Sequence, residues 1–161
     1  MDQVKKTVEE IQVAVFMLNN TYYGVPILQV KEIVKMTEIT KLPNTPDFVQ
    51  GIVNLRGEII PIIDMRRRFG LPDIEINENW KILILKSGEV LFGVMVDQIS
   101  EVEKIPTSLV ENPPKIVAGV NGKFISGIAK TENRLLILLD VERILSDEEI
   151  EMLQGIEETE L

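Results

Sequence analysis

The sequence has 161 residues, enough for one ordinary domain or two very small ones, and 45% of them are hydrophobic, as in folded proteins. It contains no cysteine and no histidine, which excludes disulfides, thiolate metal sites, cysteine nucleophiles and histidine bases. The net charge of −9 disfavours binding to phosphate backbones, and no apolar run approaches the roughly 20 residues that span a bilayer.

The first predicted elements are short β-strands. The segment Met1–Glu10 is charged and has no apolar secretory core, so we expect a cytoplasmic protein without membrane insertion. The β-branched run Ile11–Leu18 and the run Tyr22–Ile27 then flank two asparagines, which suit a hairpin turn because asparagine tolerates positive φ. Two further strands are predicted at Gln50–Asn54 and Ile59–Ile63.

The second half of the chain repeats this pattern. Residues 13–36 align without gaps onto residues 82–105 at an offset of 69, and residues 48–69 align onto 124–145 at an offset of 76. Two ungapped blocks in the same order predict two structurally equivalent copies. The strands expected in the second copy are Ile82–Leu85, Val90–Val96, Ser126–Lys130 and Leu135–Leu139.

The repeat also predicts how the chain is organised. A first copy spans residues 1–80, a second copy spans residues 81–145, and a C-terminal helix and tail follow at residues 146–161. The sequence does not decide whether the two copies exchange strands. Strands this short, separated by turns and repeated once, indicate an all-β fold built as two small barrels or a sandwich.

Little helix is expected. Asp64 and Asp140 each end a strand and are well placed to cap the free N–H groups of a short helical turn. Ser146 and Glu149 form the pattern of a capping box, which predicts a C-terminal helix that stops near Gly155.

The two copies differ most at one turn. The first copy has Asn54-Leu55-Arg56-Gly57, whereas the second has Lys130-Thr131-Glu132-Asn133 at the aligned positions. Gly57 and Asn133 both tolerate left-handed backbone, which indicates a shared turn geometry with different tips. An exposed arginine beside an exposed leucine suits a protein interface, and composition alone supports an ordinary solvated turn equally well.

At this turn the chain resembles a known family. The run from Gly51 to Arg66 looks like the central signature of the CheW family, a G-x-x-N-L-R-G segment followed by an apolar strand, a proline and an aspartate. The segments Tyr23-Gly24-Val25, Gly93 to Asp97 and Ile137 to Asp140 are also similar to the family. The resemblance covers nearly the whole chain and implies two SH3-like five-stranded β-barrels packed side by side, with a short C-terminal helix.

The resemblance further implies a role. Members of this family are non-catalytic adaptors that join the cytoplasmic hairpin of a methyl-accepting chemoreceptor to the regulatory domain of the histidine kinase CheA, and they can associate in rings. The groove between the barrels is implied as the receptor site, and no cofactor is implied. A relative that serves another receptor and kinase pathway is an alternative that the sequence does not separate.

Individual residues follow from this resemblance, with the structural alternatives kept open. Arg56 is expected to contact the receptor, whereas Glu32 aligns with Glu101 and is equally consistent with a shared structural role. Apolar residues after the second strand of each copy either line the groove or belong to the core. The expected receptor-binding set is Ile27, Val30, Glu32, Asn54, Leu55, Arg56, Val96 and Ile99, and the expected kinase-binding set is Ile39, Leu42 and Pro43.

Two other classes of function are disfavoured. An enzyme without histidine or cysteine would depend on carboxylates, lysines or hydroxyls, and the candidate pair Asp64 and Asp140 is better explained as repeated helix caps. A barrel that binds single-stranded nucleic acid needs a basic groove with stacking aromatics, and this chain combines a charge of −9 with only one Trp and two Tyr.

Overall fold

The structure is a computed structural model that describes residues 9–113, 122–132 and 134–158. It contains eleven β-strands and three α-helices in these ranges. The strands are β1 (Glu10–Leu18), β2 (Thr21–Pro26), β3 (Val30–Lys35), β4 (Val49–Leu55), β5 (Glu58–Ile63), β6 (Lys81–Ser87), β7 (Val90–Val96), β8 (Gln98–Pro106), β9 (Val110–Glu111), β10 (Ile125–Lys130) and β11 (Leu135–Leu139). The helices are α1 (Met65–Arg68), α2 (Val141–Ile144) and α3 (Asp147–Glu158).

The described strands form two sheets, which confirms the predicted all-β fold. One sheet has five strands in the order β3-β6-β7-β5-β4, and the other has six in the order β8-β1-β2-β11-β10-β9. Each sheet combines strands of both copies, because the hairpin β1–β2 lies with β8, β10 and β11 while the hairpin β6–β7 lies with β3, β4 and β5. Residue 80 therefore separates the two sequence copies and not the two sheets.

The register shows that aligned residues occupy equivalent places in the two sheets. Ile62 pairs with Gly93 where β5 meets β7, and its repeat equivalent Leu138 pairs with Gly24 where β11 meets β2. A Cβ atom on Gly93 would lie 2.6 Å from the side chain of Ile62, and one on Gly24 would lie 3.3 Å from that of Leu138. Close packing of the neighbouring strand therefore favours glycine at both positions, more strongly at Gly93 than at Gly24.

Three hydrophobic clusters make up the core. One lies on the five-stranded sheet, one lies on the six-stranded sheet, and the largest combines residues of both and is called the inter-sheet core below. Because side chains alternate along a strand, Val13 and Val15 of β1 join the six-stranded cluster while Ala14 and Phe16 join the inter-sheet core. The equivalent strand β6 divides in the same way, with Ile82 and Ile84 on one face and Leu83 and Leu85 on the other.

The helices follow the predicted caps, with one exception. Asp64 accepts a hydrogen bond from the Arg67 N–H and Asp140 accepts one from the Glu142 N–H, both at 3.1 Å, so the capping prediction is confirmed. The prediction that the last helix stops near Gly155 is wrong, because α3 continues to Glu158. Within the described ranges, no helix is long and apolar enough to cross a membrane.

Candidate functional site

The tip of the β4–β5 hairpin holds Arg56 in an uncommon backbone conformation. Leu55 pairs with Glu58 across the hairpin, and the two residues between them have positive φ, +53° at Arg56 and +86° at Gly57. This geometry is that of a two-residue type I′ turn, which favours glycine and asparagine. The side chain of Asn54 stabilises the turn, since its Oδ1 accepts a hydrogen bond of 2.8 Å from the Gly57 N–H.

The side chain of Arg56 reaches back over the sheet to β3. Its guanidinium forms an ion pair with Glu32, and the exposed fractions of the two side chains are 74% and 27%. A shallow depression of about 350 Å³ lies under this pair, with Leu55, Ile60 and Leu91 in its lining. The structure thus brings the predicted residues Glu32, Asn54, Leu55 and Arg56 together at one surface.

The apolar members of the predicted receptor set divide between surface and core. Ile27, Val30 and Ile99 are partly buried and pack against the edge of the inter-sheet core, so each retains a face towards solvent. Val96 is fully buried, and it therefore belongs to the core rather than to a surface that a partner contacts. Leu28, which the sequence analysis did not select, is 96% exposed in the turn between β2 and β3.

The predicted kinase-binding residues lie along the outer side of β4. Ile39 packs on the cluster of the five-stranded sheet, while Leu42 is partly buried and Pro43 is exposed. The adjacent Thr40 forms an isolated bridge with Ile52 of β4. These three residues therefore occupy one segment next to the edge strand β4.

The second copy has an arginine near the equivalent turn, although the residue aligned with Arg56 is Glu132 and Arg134 aligns with Glu58. Arg134 pairs with Glu103 at 2.5 Å and with Glu101 at 3.3 Å, and its guanidinium lies 4.3 Å from the ring centre of Tyr22. Its side chain is only 20% exposed. Burial alone would lower the pKa of Arg134, but the hydrogen bond and charge of Glu103 outweigh burial and raise it. The turn residue Asn133 lies outside the described residues.

Sequence reasoning did not select Arg66 and Arg68, which lie in the run Arg66-Arg67-Arg68. Arg66 is buried and pairs with Asp97 through Nη2 at 2.7 Å and 2.6 Å. Arg68 pairs with Glu149 of α3 and lies over the rings of Phe48 and Phe124. The available signal was the repeat, because both positions align with residues of another type in the second copy, Glu142 and Ile144.

Together, the two equivalent sheets and the exposed turn define a small β protein whose candidate contact surface lies at Arg56. The model of the CheW-like domain matches residues 12–149, and the chain therefore belongs to the CheW-like family.

Individual relatives support this assignment. The chain is 34% identical to the chemotaxis protein CheW of Klebsiella aerogenes over 142 residues, which cover 88% of this chain and 86% of that protein. It is 35% identical to the chemotaxis protein CheW of Bacillus subtilis over 134 residues, which cover 83% and 86% of the two chains. Among solved structures, it resembles the scaffolding protein TtCheW of Thermoanaerobacter tengcongensis with a TM-score of 0.77 and 33% identity, over 91% of this chain and 94% of that one.

Proposed function

We propose that this chain is a non-catalytic adaptor of bacterial chemotaxis that couples the cytoplasmic hairpin of a chemoreceptor to the regulatory domain of the histidine kinase CheA. The names of its relatives, chemotaxis proteins and a scaffolding protein, support the adaptor role. The adaptor would act at receptor arrays on the cytoplasmic side of the membrane. It would transmit receptor state by coupling two binding equilibria, without chemistry of its own.

The receptor is proposed to bind a surface that we call the coupling surface. The observation that carries this proposal is Arg56, an exposed arginine that a strained type I′ turn presents beside a shallow depression lined by both apolar and charged residues. A solvated turn would gain stability from glycine or asparagine at this position, so an arginine there is better explained by binding. The coupling surface consists of Ile27, Val30, Glu32, Asn54, Leu55, Arg56 and Ile99.

The chemistry of this surface suits a helical hairpin with an apolar stripe and acidic flanks. Ile27, Val30 and Ile99 offer partly buried aliphatic side chains that such a stripe would cover. The Arg56 guanidinium has five N–H donors, so it is able to keep Glu32 and bind a receptor carboxylate as well. The kinase domain is proposed to bind elsewhere, at the segment of Ile39, Leu42 and Pro43, where Pro43 is exposed beside the partly buried Leu42.

The experiment that tests the receptor site is a calorimetric titration of a purified chemoreceptor hairpin with wild type, Arg56→Glu and Arg143→Glu. Arg143 is a matched control, because its side chain is 68% exposed and pairs with a carboxylate, as that of Arg56 does. We expect Arg56→Glu to lose at least about 1.4 kcal/mol of binding free energy, or tenfold in affinity, and Arg143→Glu to lose none of it.

The other results would contradict the proposal in different ways. Equal binding by wild type and Arg56→Glu would show that Arg56 is an ordinary solvated turn residue. Equal losses in both variants would show that only the net charge of the protein matters. A folded wild type that binds no receptor hairpin would overturn the receptor role itself, and the kinase regulatory domain would then be titrated as the remaining partner.

A further inference from the structure

The two places where the chain passes from one sheet to the other are not equivalent in their contacts. In the first copy, the turn Ile27–Gln29 joins β2 to β3, and in the second copy Asp97 joins β7 to β8. Asp97 aligns with Leu28. Leu28 is almost fully exposed, whereas Asp97 is held by three neighbouring segments.

The contacts of Asp97 are directional and short. Both of its carboxylate oxygens accept hydrogen bonds from Nη2 of Arg66, at 2.7 Å and 2.6 Å, and Oδ2 also accepts one of 2.9 Å from the Asn19 N–H. The Asp97 N–H donates to the Met17 carbonyl at 2.9 Å. Arg66 also donates a hydrogen bond of 3.1 Å from Nη1 to the Pro72 carbonyl. The Arg66–Asp97 bridge therefore joins the end of the five-stranded sheet to the first hairpin of the six-stranded sheet.

Among the described residues, the first crossover has no equivalent bridge. The residues aligned with Arg66, Asp97 and Asn19 are Glu142, Leu28 and Gly88, and a glutamate and a leucine form no ion pair. Arg66 belongs to the first copy and Asp97 to the second, so this ion pair occurs at one crossover only and the repeat does not explain it. A buried ion pair contributes little net stability, because its desolvation offsets most of the attraction between the charges. Its presence is therefore better explained by a role in holding the chain in one geometry.

We propose that the Arg66–Asp97 bridge is a positioning pair that fixes the β7–β8 crossover, so that Ile99 is presented on the coupling surface before the receptor binds. Ile99 follows Asp97 by two residues, packs on the edge of the inter-sheet core and retains a face towards solvent. Apolar packing in that core is strong but non-directional, whereas the forked hydrogen bonds of Arg66 define both position and orientation. This inference rests on the proposed receptor role.

The test compares three proteins: the wild type, a double variant that carries both Arg66→Met and Asp97→Ala, and a control whose stability equals that of the double variant. The double variant removes both charges together, because removing one partner alone would leave a buried, unpaired charge, which strongly destabilises a fold. The control is Leu136→Ala or Leu136→Val, whichever matches its melting temperature, since Leu136 is fully buried within the cluster of the six-stranded sheet.

Two measurements are made on each protein. Amide hydrogen exchange is followed at Asn19 and Asp97, whose N–H groups both take part in the bonded crossover. Receptor hairpin affinity is measured by calorimetry. We expect the double variant alone to show exchange at residues 19 and 97 that is roughly tenfold faster than in the control, together with a roughly tenfold loss of receptor affinity.

Each contrary result has one meaning. Unchanged exchange at these two amides would overturn the claim that the bridge fixes the crossover. Faster exchange with unchanged affinity, or an equal loss of affinity in the control, would overturn the claim that this geometry serves receptor binding. A wild type that binds no receptor hairpin would overturn the receptor role and the binding part of this inference, while the exchange data would still decide whether the bridge fixes the crossover.

Discussion

The β4–β5 and β10–β11 hairpins occupy equivalent places in the two sheets, yet each has its arginine at a different position of the turn: Arg56 in the first, and Arg134, which aligns with Glu58, in the second. Arg56 pairs with Glu32 in the first copy, and Arg134 pairs with the aligned Glu101 in the second copy. Arg56 is 74% exposed at the outermost position of its turn, whereas Arg134 is 20% exposed, pairs also with Glu103 and lies against Tyr22.

Both arginines form ion pairs, so burial is the property that separates an arginine available to partners from one that stabilises the fold. An exposed pair in water contributes little to stability, because solvent screens the charges and both side chains lose freedom. A largely buried arginine with several acceptors contributes more, since its removal leaves carboxylates without their donor. We therefore propose that Arg56 is available to a partner, whereas Arg134 stabilises the six-stranded sheet.

The largest expected effect concerns Arg134. We expect Arg134→Ala to lower the free energy of unfolding by about 2 kcal/mol, because hydrogen bonds to charged groups and ring contact are both lost. Arg56→Ala is expected to change it by less than about 0.5 kcal/mol. Urea unfolding of both variants measures the difference, and equal losses would show that the two tips are energetically alike.

The next prediction concerns a third ion pair, between Arg68 and Glu149. The two side chains are only 12% and 19% exposed, so we expect this pair to contribute to stability as the largely buried Arg134 does. Burial would raise the pKa of Glu149, but hydrogen bonds from Arg68 and Ser146 and the charge of Arg68 outweigh burial and hold it below its usual range. A lowered pKa stabilises the fold above the unfolded carboxylate pKa, and this contribution is lost as pH falls through the folded pKa.

The measurement is the unfolding free energy of wild type and Glu149→Gln between neutral pH and about pH 2.5. Glutamine keeps the capping-box geometry, so the change isolates the charge. We expect wild type to be more stable by about 1.5 kcal/mol at neutral pH and the gap to close in acid. A gap that stays constant with pH would show that Glu149 acts through shape alone.

The smallest effect is expected at Arg56, where binding and stability should oppose each other. Arg56→Asn places a residue that tolerates positive φ at the tip, and we expect it to raise the free energy of unfolding by about 0.5 kcal/mol. Receptor affinity should fall in the same variant. Thermal unfolding and calorimetry on one preparation check both, with Gly57→Ala as a control that should destabilise the turn. A destabilised Arg56→Asn would show that the arginine contributes to the fold.

The sequence was sufficient to predict the elements that local rules control. Turn residues, helix caps at Asp64 and Asp140, and the repeat at offsets of 69 and 76 predicted most strands and the two-copy organisation. The strands β3, β8 and β9 were not predicted, and Val30–Lys35 does not alternate apolar and polar residues along the sequence. The family resemblance, confirmed by the match over residues 12–149, supplied the function class that composition alone does not give.

Four features depended on long-range contacts and could be read only from the tertiary structure. The sequence does not reveal that the hairpins β1–β2 and β6–β7 lie with the opposite copy, because strand pairing is set by packing between distant segments. For the same reason, the sequence did not predict the burial of Val96 and Arg66 or the exposure of Leu28. Local sequence determines which segments form strands and turns, whereas the burial of a side chain depends on which distant strand lies against it.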